Sequence, residues 1–386
     1  MATKHIHLCL VSKQPTPNLV PLIDPNLQVD EAILLHTDSF KQHALWLQQA
    51  LAMYQIKTRL DVLPSADNMH QLHDFLIQLY EKLKQETPDS KIYCNITSGT
   101  KTMSIALYEL ALMTADEGTQ AYYQNLDDTL SWYVPLTTER HEIIDRVKIK
   151  PFLLSHGVDT LNQSHSRVAP QWRPLIDELV MNLSQYQSAI STLNFHAVSA
   201  SYNPNLVSEN EIKSRFPSLN ALLKLLQDHG LIQWQGPYIK FPSEQARFFC
   251  AGGWLEEHVY HTIRKMMAKN KRIQDLAQGL EVYSLLQGKA NTIKNELDVA
   301  VLVNNRLVVI ECKTYQTDKE NSPVPDSLYK LDTLASQTGG AFGRGIFICL
   351  NPLKPNDYER AKRYNIEVIQ GDRFAQLQTA LERFIY

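Results

Sequence analysis

Two apolar, β-branched runs near the C-terminus, NELDVAVLV and RLVVIECK, flank Asn304-Asn305. Asn tolerates the positive φ that a two-residue hairpin turn needs, so the segment predicts a β-hairpin in which Val303 faces Arg306. Counting outward sets Asp298 opposite Glu311 and Glu296 opposite Lys313, and strand alternation puts Asp298, Glu311 and Lys313 on one face. Opposed carboxylates at the end of an apolar strand pair repel each other and resist burial. A divalent cation between them removes that conflict. An ammonium beside it would orient or help deprotonate a metal-bound water and offset charge on a phosphate.

At 386 residues the chain is long enough for about two or three domains. No apolar run is long enough to span a membrane, and MATKHIHLCLVSK reads as a strand instead of a signal peptide. The five cysteines, Cys9, Cys94, Cys250, Cys312 and Cys349, lack metal-site spacing and suit a reducing cytoplasm. A net charge of −3 permits a nucleic-acid partner without demanding one.

Residues 1–150 alternate strand and helix signals. HIHLCLV, EAILLHT, TRLDVLP, KIYCNIT and QAYYQNL read as buried strands, with amphipathic helices between them and a closing hairpin around Leu126 to Trp132. That pattern predicts a Rossmann-like α/β domain with strand order 3-2-1-4-5. Its crevice opens beyond the C-terminal ends of strands one and four. The bordering loops are VSKQPTPN, with Ser12 and Lys13, and TSGTKT, with Thr97, Ser98, Gly99, Thr100 and Lys101. The second runs straight into a helix, whose free N–H groups suit a phosphate or nucleotide, although Ser98 would equally serve as a helix cap. Neither GxGxxG nor a Walker A loop is present, which disfavours a dinucleotide site and a P-loop ATPase.

Residues 151–247 read as helices, in QWRPLIDELVMNLSQYQSAIST and SRFPSLNALLKLLQDHGLI, followed by the short hairpin IQWQGPYIKFPS turning at Gly236-Pro237. This is a winged-helix-like arrangement. Around its second helix Lys213, Arg215 and Lys224 are offset by Glu209, Glu211 and Asp228, so a structural connector is the preferred reading over a DNA reader. Residues 248–386 form a mixed α/β domain that contains the hairpin.

The spacing of Asp298, Glu311 and Lys313 resembles the core of the PD-(D/E)xK nuclease superfamily. Its additional helical acid is supplied by GGWLEEHVYHTIRKM, where the G-x-W-L-E pattern favours Glu256, with Glu257 as the alternative. Taken with the Rossmann-like domain, its SGTK turn and the connector, the chain resembles the CARF-domain nucleases that accompany type III CRISPR systems. The resemblance implies a restriction-endonuclease-like C-terminal domain with Asp298 and Glu311 ligating Mn2+ or Mg2+, Lys313 as the catalytic lysine and Glu256 as the helical acid. It also implies that Ser12, Lys13, Thr97, Ser98, Gly99, Thr100 and Lys101 bind a cyclic oligoadenylate, usually cyclic tetra-adenylate, across a homodimer. The activated protein would cleave DNA or RNA in antiviral defence. Two competing readings are a nucleotide-sensing winged-helix regulator with an inactive nuclease-like domain, and an unregulated repair or restriction-type endonuclease.

Overall fold

A computed structural model describes residues 3–144, 147–164, 166–212, 216–287, 294–315 and 322–385. The N-terminal domain runs β1 (His5–Leu10), α1 (Thr16–Leu22), β2 (Glu31–His36), α2 (Lys41–Ala52), β3 (Thr58–Val62), α3 (Met69–Glu86), β4 (Lys91–Asn95), α4 (Lys101–Met113) and β5 (Gln120–Gln124). Two antiparallel strands, β6 (Thr129–Val134) and β7 (Leu136–Glu142), follow. The sheet order is β3-β2-β1-β4-β5-β6-β7, with every pairing from β3 to β5 parallel. The fully buried runs of β1 and β2 explain this, because strands covered by helices on both faces read as continuous apolar segments. The closing hairpin extends further than the expected Leu126–Trp132, since mostly exposed β7 adds an edge strand.

Next come α5 (Ile149–Ser155) and β8 (Val158–Thr160). The connector consists of α6 (Arg173–Met181), α7 (Leu183–Ser199), α8 (Pro217–Asp228) and the hairpin β9 (Gln233–Gln235) with β10 (Tyr238–Lys240), turning at Gly236 with φ 72°. Lys213 and Arg215 lie outside the described residues.

The C-terminal part comprises α9 (Glu244–Phe248), α10 (Trp254–Lys269), β11 (Ile273–Ser284), β12 (Asn295–Val303), β13 (Arg306–Lys313), α11 (Val324–Gly339), β14 (Arg344–Cys349), α12 (Pro355–Arg363), β15 (Ile366–Gln370) and α13 (Leu377–Ile385). Its sheet order is β15-β14-β13-β12-β11-β8, so β8 joins the C-terminal sheet although it lies within 151–247. The β12–β13 turn is as expected: Val303 pairs with Arg306, and Asn304 and Asn305 have φ of 47° and 55°.

The centre of β12 is buried on both faces, so this sheet needs two covers. One face packs Val299, Val301 and Ile310 against α10, α13 and the connector. The other packs Ala300, Leu302 and Val309 into a core that includes Leu153 and Phe152 of α5, Leu328 and Leu331 of α11, and Leu34 and Leu47 of the N-terminal domain. The N-terminal and C-terminal sheets therefore share apolar burial through α5. Polar contacts pin the same junction: the Lys148 N–H donates to Tyr54 Oη, and the Ile149 N–H donates to Asp275 Oδ2, both at 2.9 Å.

Gly157, at φ 78°, ends α5 against the buried Trp46 ring, where an added Cβ would lie 2.6 Å from ring carbons. Gly157→Ala should lower unfolding stability by about 1–3 kcal/mol, through overpacking and a left-handed backbone that only glycine adopts freely. A urea midpoint unchanged from wild type would show that the junction does not depend on this close approach.

Candidate functional site

At the open end of the C-terminal hairpin the ladder gives way to side chains. Its last pairing there is Val299 with Ile310, which leaves Asp298 at the register position opposite Glu311. The Cys312 N–H donates to Asp298 Oδ2 at 2.8 Å, so a carboxylate takes the role of a strand carbonyl. Lys313 Nζ lies 3.4 Å from Asp298 Oδ2 and 2.5 Å from Glu311 Oε1. The three residues expected from the hairpin are thus brought together.

The expected alternation slips just before them. Leu297 packs in the same core as Ala300 and Leu302, whereas strict alternation would place it with Val299 and Val301. The β11–β12 ladder skips this position, passing from Gln278–Val299 to Leu280–Leu297, and the residue left between on β11 is Gly279, with φ 57°. The slip lets Asp298 approach α10, on the other side of the sheet.

Helix α10 begins hard against the end of β13. Gly252 has φ 118°, and a Cβ there would sit 2.7 Å from Thr314 Oγ1; at Gly253 it would sit 2.2 Å from the Phe248 ring. Two glycines in GGWLEE therefore allow the acidic first turn of the helix to reach the strand end. Asn194 of α7 ties both sides by donating to the Ala251 carbonyl and, at 2.8 Å, to Thr314 Oγ1.

The two candidate helical acids have different surroundings. Glu257 is fully engaged: Ser166 Oγ donates to it at 2.7 Å, Arg173 donates at 3.3 Å, and His261 Nε2 lies 2.7 Å away. Glu256 is buried, and its Oε2 has no hydrogen-bond partner. Among the described residues, Glu256, Glu296 and Asp298 each offer a carboxylate oxygen within 4.8 Å of one another, a grouping able to hold a metal ion. All the donors are hard oxygens, which suits Mg2+ or Mn2+. The orphaned Glu256 oxygen is the further sign that a cation fits. Glu311 stands outside that group and faces Lys313.

Electrostatics follow from packing like charges out of water. Burial, reinforced by Asp298, holds the Glu256 carboxyl well above the ordinary glutamate range, with Arg167 offsetting only part of the effect. Glu311 is raised for the same two reasons. Burial raises Glu296 too, against the pull of Arg167. Lys313 goes the other way: burial alone would strip its proton, but Asp298 and Glu311 outweigh it and hold the ammonium more firmly than in water.

Two residues of this site escaped the sequence reading. Glu296 was placed only as the register partner of Lys313; alternation sets it on the face of Asp298, and the slip turns that face toward Glu256. Arg167 pairs with Glu296 and lies 3.8 Å from Glu256 Oε2, yet it sits 129 residues before Glu296, in an irregular segment that carries no motif.

In the N-terminal domain the loops after β1 and β4 lie side by side, since those strands are neighbours. Asn95 clamps them by donating to the Pro17 carbonyl at 2.8 Å and to Asn18 Oδ1 at 3.0 Å. Several hydroxyls have internal partners. Thr97 Oγ1 donates to Asn95 and accepts from the Gln124 N–H, Ser12 bonds with Gln14, and Thr100 caps α4 by accepting from the Met103 N–H at 3.3 Å. The cap is therefore Thr100, and Ser98 Oγ is left buried without a hydrogen-bond partner. Gly99, with φ 86°, comes next, and both Lys101, the first residue of α4, and Lys13 across the crevice are exposed.

Comparison with known proteins assigns the two ends of the chain. Residues 6–152 match the Card1 CARF domain, and residues 243–385 match the Card1-like endonuclease domain. A sensor of the CARF type joined to an endonuclease makes this protein a CARF-domain nuclease. Within that class, its two ends match the two domains described for Card1.

The fold is shared along the whole length with protein VC1899 from Vibrio cholerae, at 24% identity and TM-score 0.86, covering 99% of this chain and 98% of that one. It is also shared with Can2 from Sulfobacillus thermosulfidooxidans, solved in complex with cyclic tetra-adenylate, at 24% identity and TM-score 0.79, covering 99% of each chain. A type III CRISPR defence DNA nuclease activated by cyclic oligoadenylate matches at 17% identity and TM-score 0.61, over 99% of this chain and 52% of that one. No curated protein sequence matches the chain. No helix among the described residues is long and apolar enough to cross a membrane.

The contrast between the neighbouring acids is testable by denaturant unfolding in the presence of a chelator. Glu257→Gln should cost about 1–3 kcal/mol, because its partners lose a charged acceptor. Glu256→Gln should be neutral or stabilising, since it removes a repelling charge. Native Glu256 keeps its proton to higher pH than the unfolded chain does, so wild-type stability should decline as pH rises above the ordinary glutamate value of 4.5. Glu256→Gln should flatten that decline; equal slopes in both proteins would remove Glu256 from the buried cluster.

Proposed function

We propose that this nuclease is switched on by a cyclic oligoadenylate, with cyclic tetra-adenylate the first candidate, and then cleaves nucleic acid with Mg2+ or Mn2+. The observation that carries the reading is the presence, in one chain, of two built but separate polar sites. One is the turn of Ser98, Gly99 and Lys101 at a helix start, and the other is the buried carboxylate cluster around Asp298. The ring complex of Can2 supports the choice of activator.

The anionic ring would meet the free N–H groups at the start of α4, the Ser98 hydroxyl and the Lys101 ammonium, with Lys13 across the crevice. Ser12, Thr97 and Thr100 shape the loops through their internal hydrogen bonds and stand behind that contact surface. Along α4 the exposed residues continue from Lys101 to Ile105, Leu112 and Met113, which are 48%, 50% and 61% exposed. An apolar stripe running on from the ligand turn suits a two-fold homodimer, in which the same turn is presented twice to a ring with equivalent halves.

In the C-terminal domain Asp298 is the central proposed metal ligand, with Glu256 and Glu296 offering converging oxygens and Glu311, which the resemblance implies as a ligand, beside it and paired with Lys313. These residues would hold a divalent ion, which would supply Lewis acidity toward a phosphate and lower the pKa of a bound water. Asp298 is held in place by the Cys312 N–H and Lys313. Lys313, whose ammonium is strongly retained, acts as a fixed positive charge beside the scissile phosphate; it is a poor proton acceptor. The site lies at a sheet end beside the first turn of α10, and Arg264, Lys265 and Lys269 add positive charge further along that helix.

Two variants separate sensing from cutting. Lys101→Glu sets a negative charge where phosphate would lie and should weaken cyclic tetra-adenylate binding by at least about tenfold, while leaving activator-independent cleavage unchanged. Glu311→Gln should bind the ring as wild type does and lose cleavage by about a hundredfold or more. Calorimetry with the ring and cleavage of plasmid, single-stranded DNA and RNA check both. Normal ring affinity in Lys101→Glu would remove this turn from the site.

A further inference from the structure

We propose that Arg167 is a cation built into the chain that competes with the metal for the carboxylates of the nuclease site, so that metal affinity depends on this side chain moving away. The proposal rests on the metal site proposed above. The Arg167 guanidinium donates to Glu296 Oε1, stands 3.8 Å from the otherwise unpartnered Glu256 Oε2, and lies 4.0 Å over the centroid of the Phe248 ring. Glu256 and Glu296 are two of the three residues whose oxygens converge within 4.8 Å. A dication drawn to that group meets a positive charge already among its ligands.

The surroundings argue against a purely structural bridge. The neighbouring Glu257, accepting from Ser166 and Arg173, already ties α10 to the chain around residues 166–173. The segment bearing Arg167 is anchored without its side chain. Asn162 donates to the Gly279 carbonyl at 2.8 Å and accepts from the Glu281 N–H at 2.8 Å, while Ser164 Oγ accepts from the Gln278 N–H at 2.8 Å. The Arg167 side chain keeps 34% of its surface exposed, so it has a route into water that breaks none of these bonds. The movable part is the guanidinium, and the loop stays in place.

The test is calorimetric titration of Mn2+ into the full-length protein with no nucleic acid present. Arg167→Met keeps the length of the stem and its contact with Phe248 while removing the charge. It should bind Mn2+ at least about tenfold more tightly than wild type, whereas Arg167→Lys should stay near wild type. Asp298→Asn should bind at least about tenfold more weakly. Lost packing would lower Mn2+ affinity, so a gain in Arg167→Met is not a trivial effect of damage; if that variant melts early in chelator, Arg167→Gln makes the same comparison. Wild-type or weaker affinity in the neutral variants, with Asp298→Asn still impaired, would overturn the competing role and leave the metal site standing. Wild-type affinity in Asp298→Asn, or no Mn2+ binding in any of the proteins, would overturn both.

Discussion

Buried Glu256, Asp298 and Glu311, with half-buried Glu296 beside them, crowd carboxylates into one end of a sheet, and the elements around them answer that constraint. Each carboxylate removed from water needs a compensating partner, and none of the four has a complete set. Asp298 has a backbone N–H and part of Lys313, Glu311 has the rest of that ammonium, Glu296 has Arg167, and Glu256 has only a distant guanidinium. Such a cluster is poor architecture for stability alone. It becomes sensible where a doubly charged ion is part of the working state.

The connector is woven into this end of the sheet. Gln187 of α7 donates to the Leu350 carbonyl, Ser191 donates to the Thr314 carbonyl, and Asn351 donates back to Ser191, while Asn194 grips both Thr314 and the start of α10. One helix thus holds the ends of β13 and β14 together with the approach to the helical acid. A rotation of α7 would carry both sides of the carboxylate cluster with it.

How far the sequence could be read depended on how local the signal was. The hairpin was legible because two β-branched runs and Asn304-Asn305 agree on one register, and that register holds from Val303–Arg306 to Val299–Ile310. The Rossmann-like sheet was legible from apolar strands alternating with amphipathic helices. Strand β7 was not, since LTTERHE carries no apolar face. Which of Glu256 and Glu257 is free could not be read from adjacent, equally acidic positions; it follows from Ser166 and Arg173 arriving from elsewhere in the chain. Ser98 as a cap was one of two open readings, and the distinction came from where α4 starts. The role of Glu296 depended on the slip beside Gly279, and that of Arg167 on a contact spanning 129 residues, neither of which leaves a periodic trace.

Strand β8 gives the chain an unexpected grammar. Val158–Thr160 pairs with β11 at the edge of the catalytic sheet, and the segment after it brings Ser166 and Arg167 to the acids of α10 before α6, α7 and α8 begin. The catalytic fold therefore opens upstream of the helical module and resumes downstream of it, and the connector is an insertion into that fold instead of a spacer between two finished units. A recombination event that exchanged sensors would have to cut ahead of β8. A cut after the connector would leave β11 as a bare edge and take Arg167 away with the discarded half.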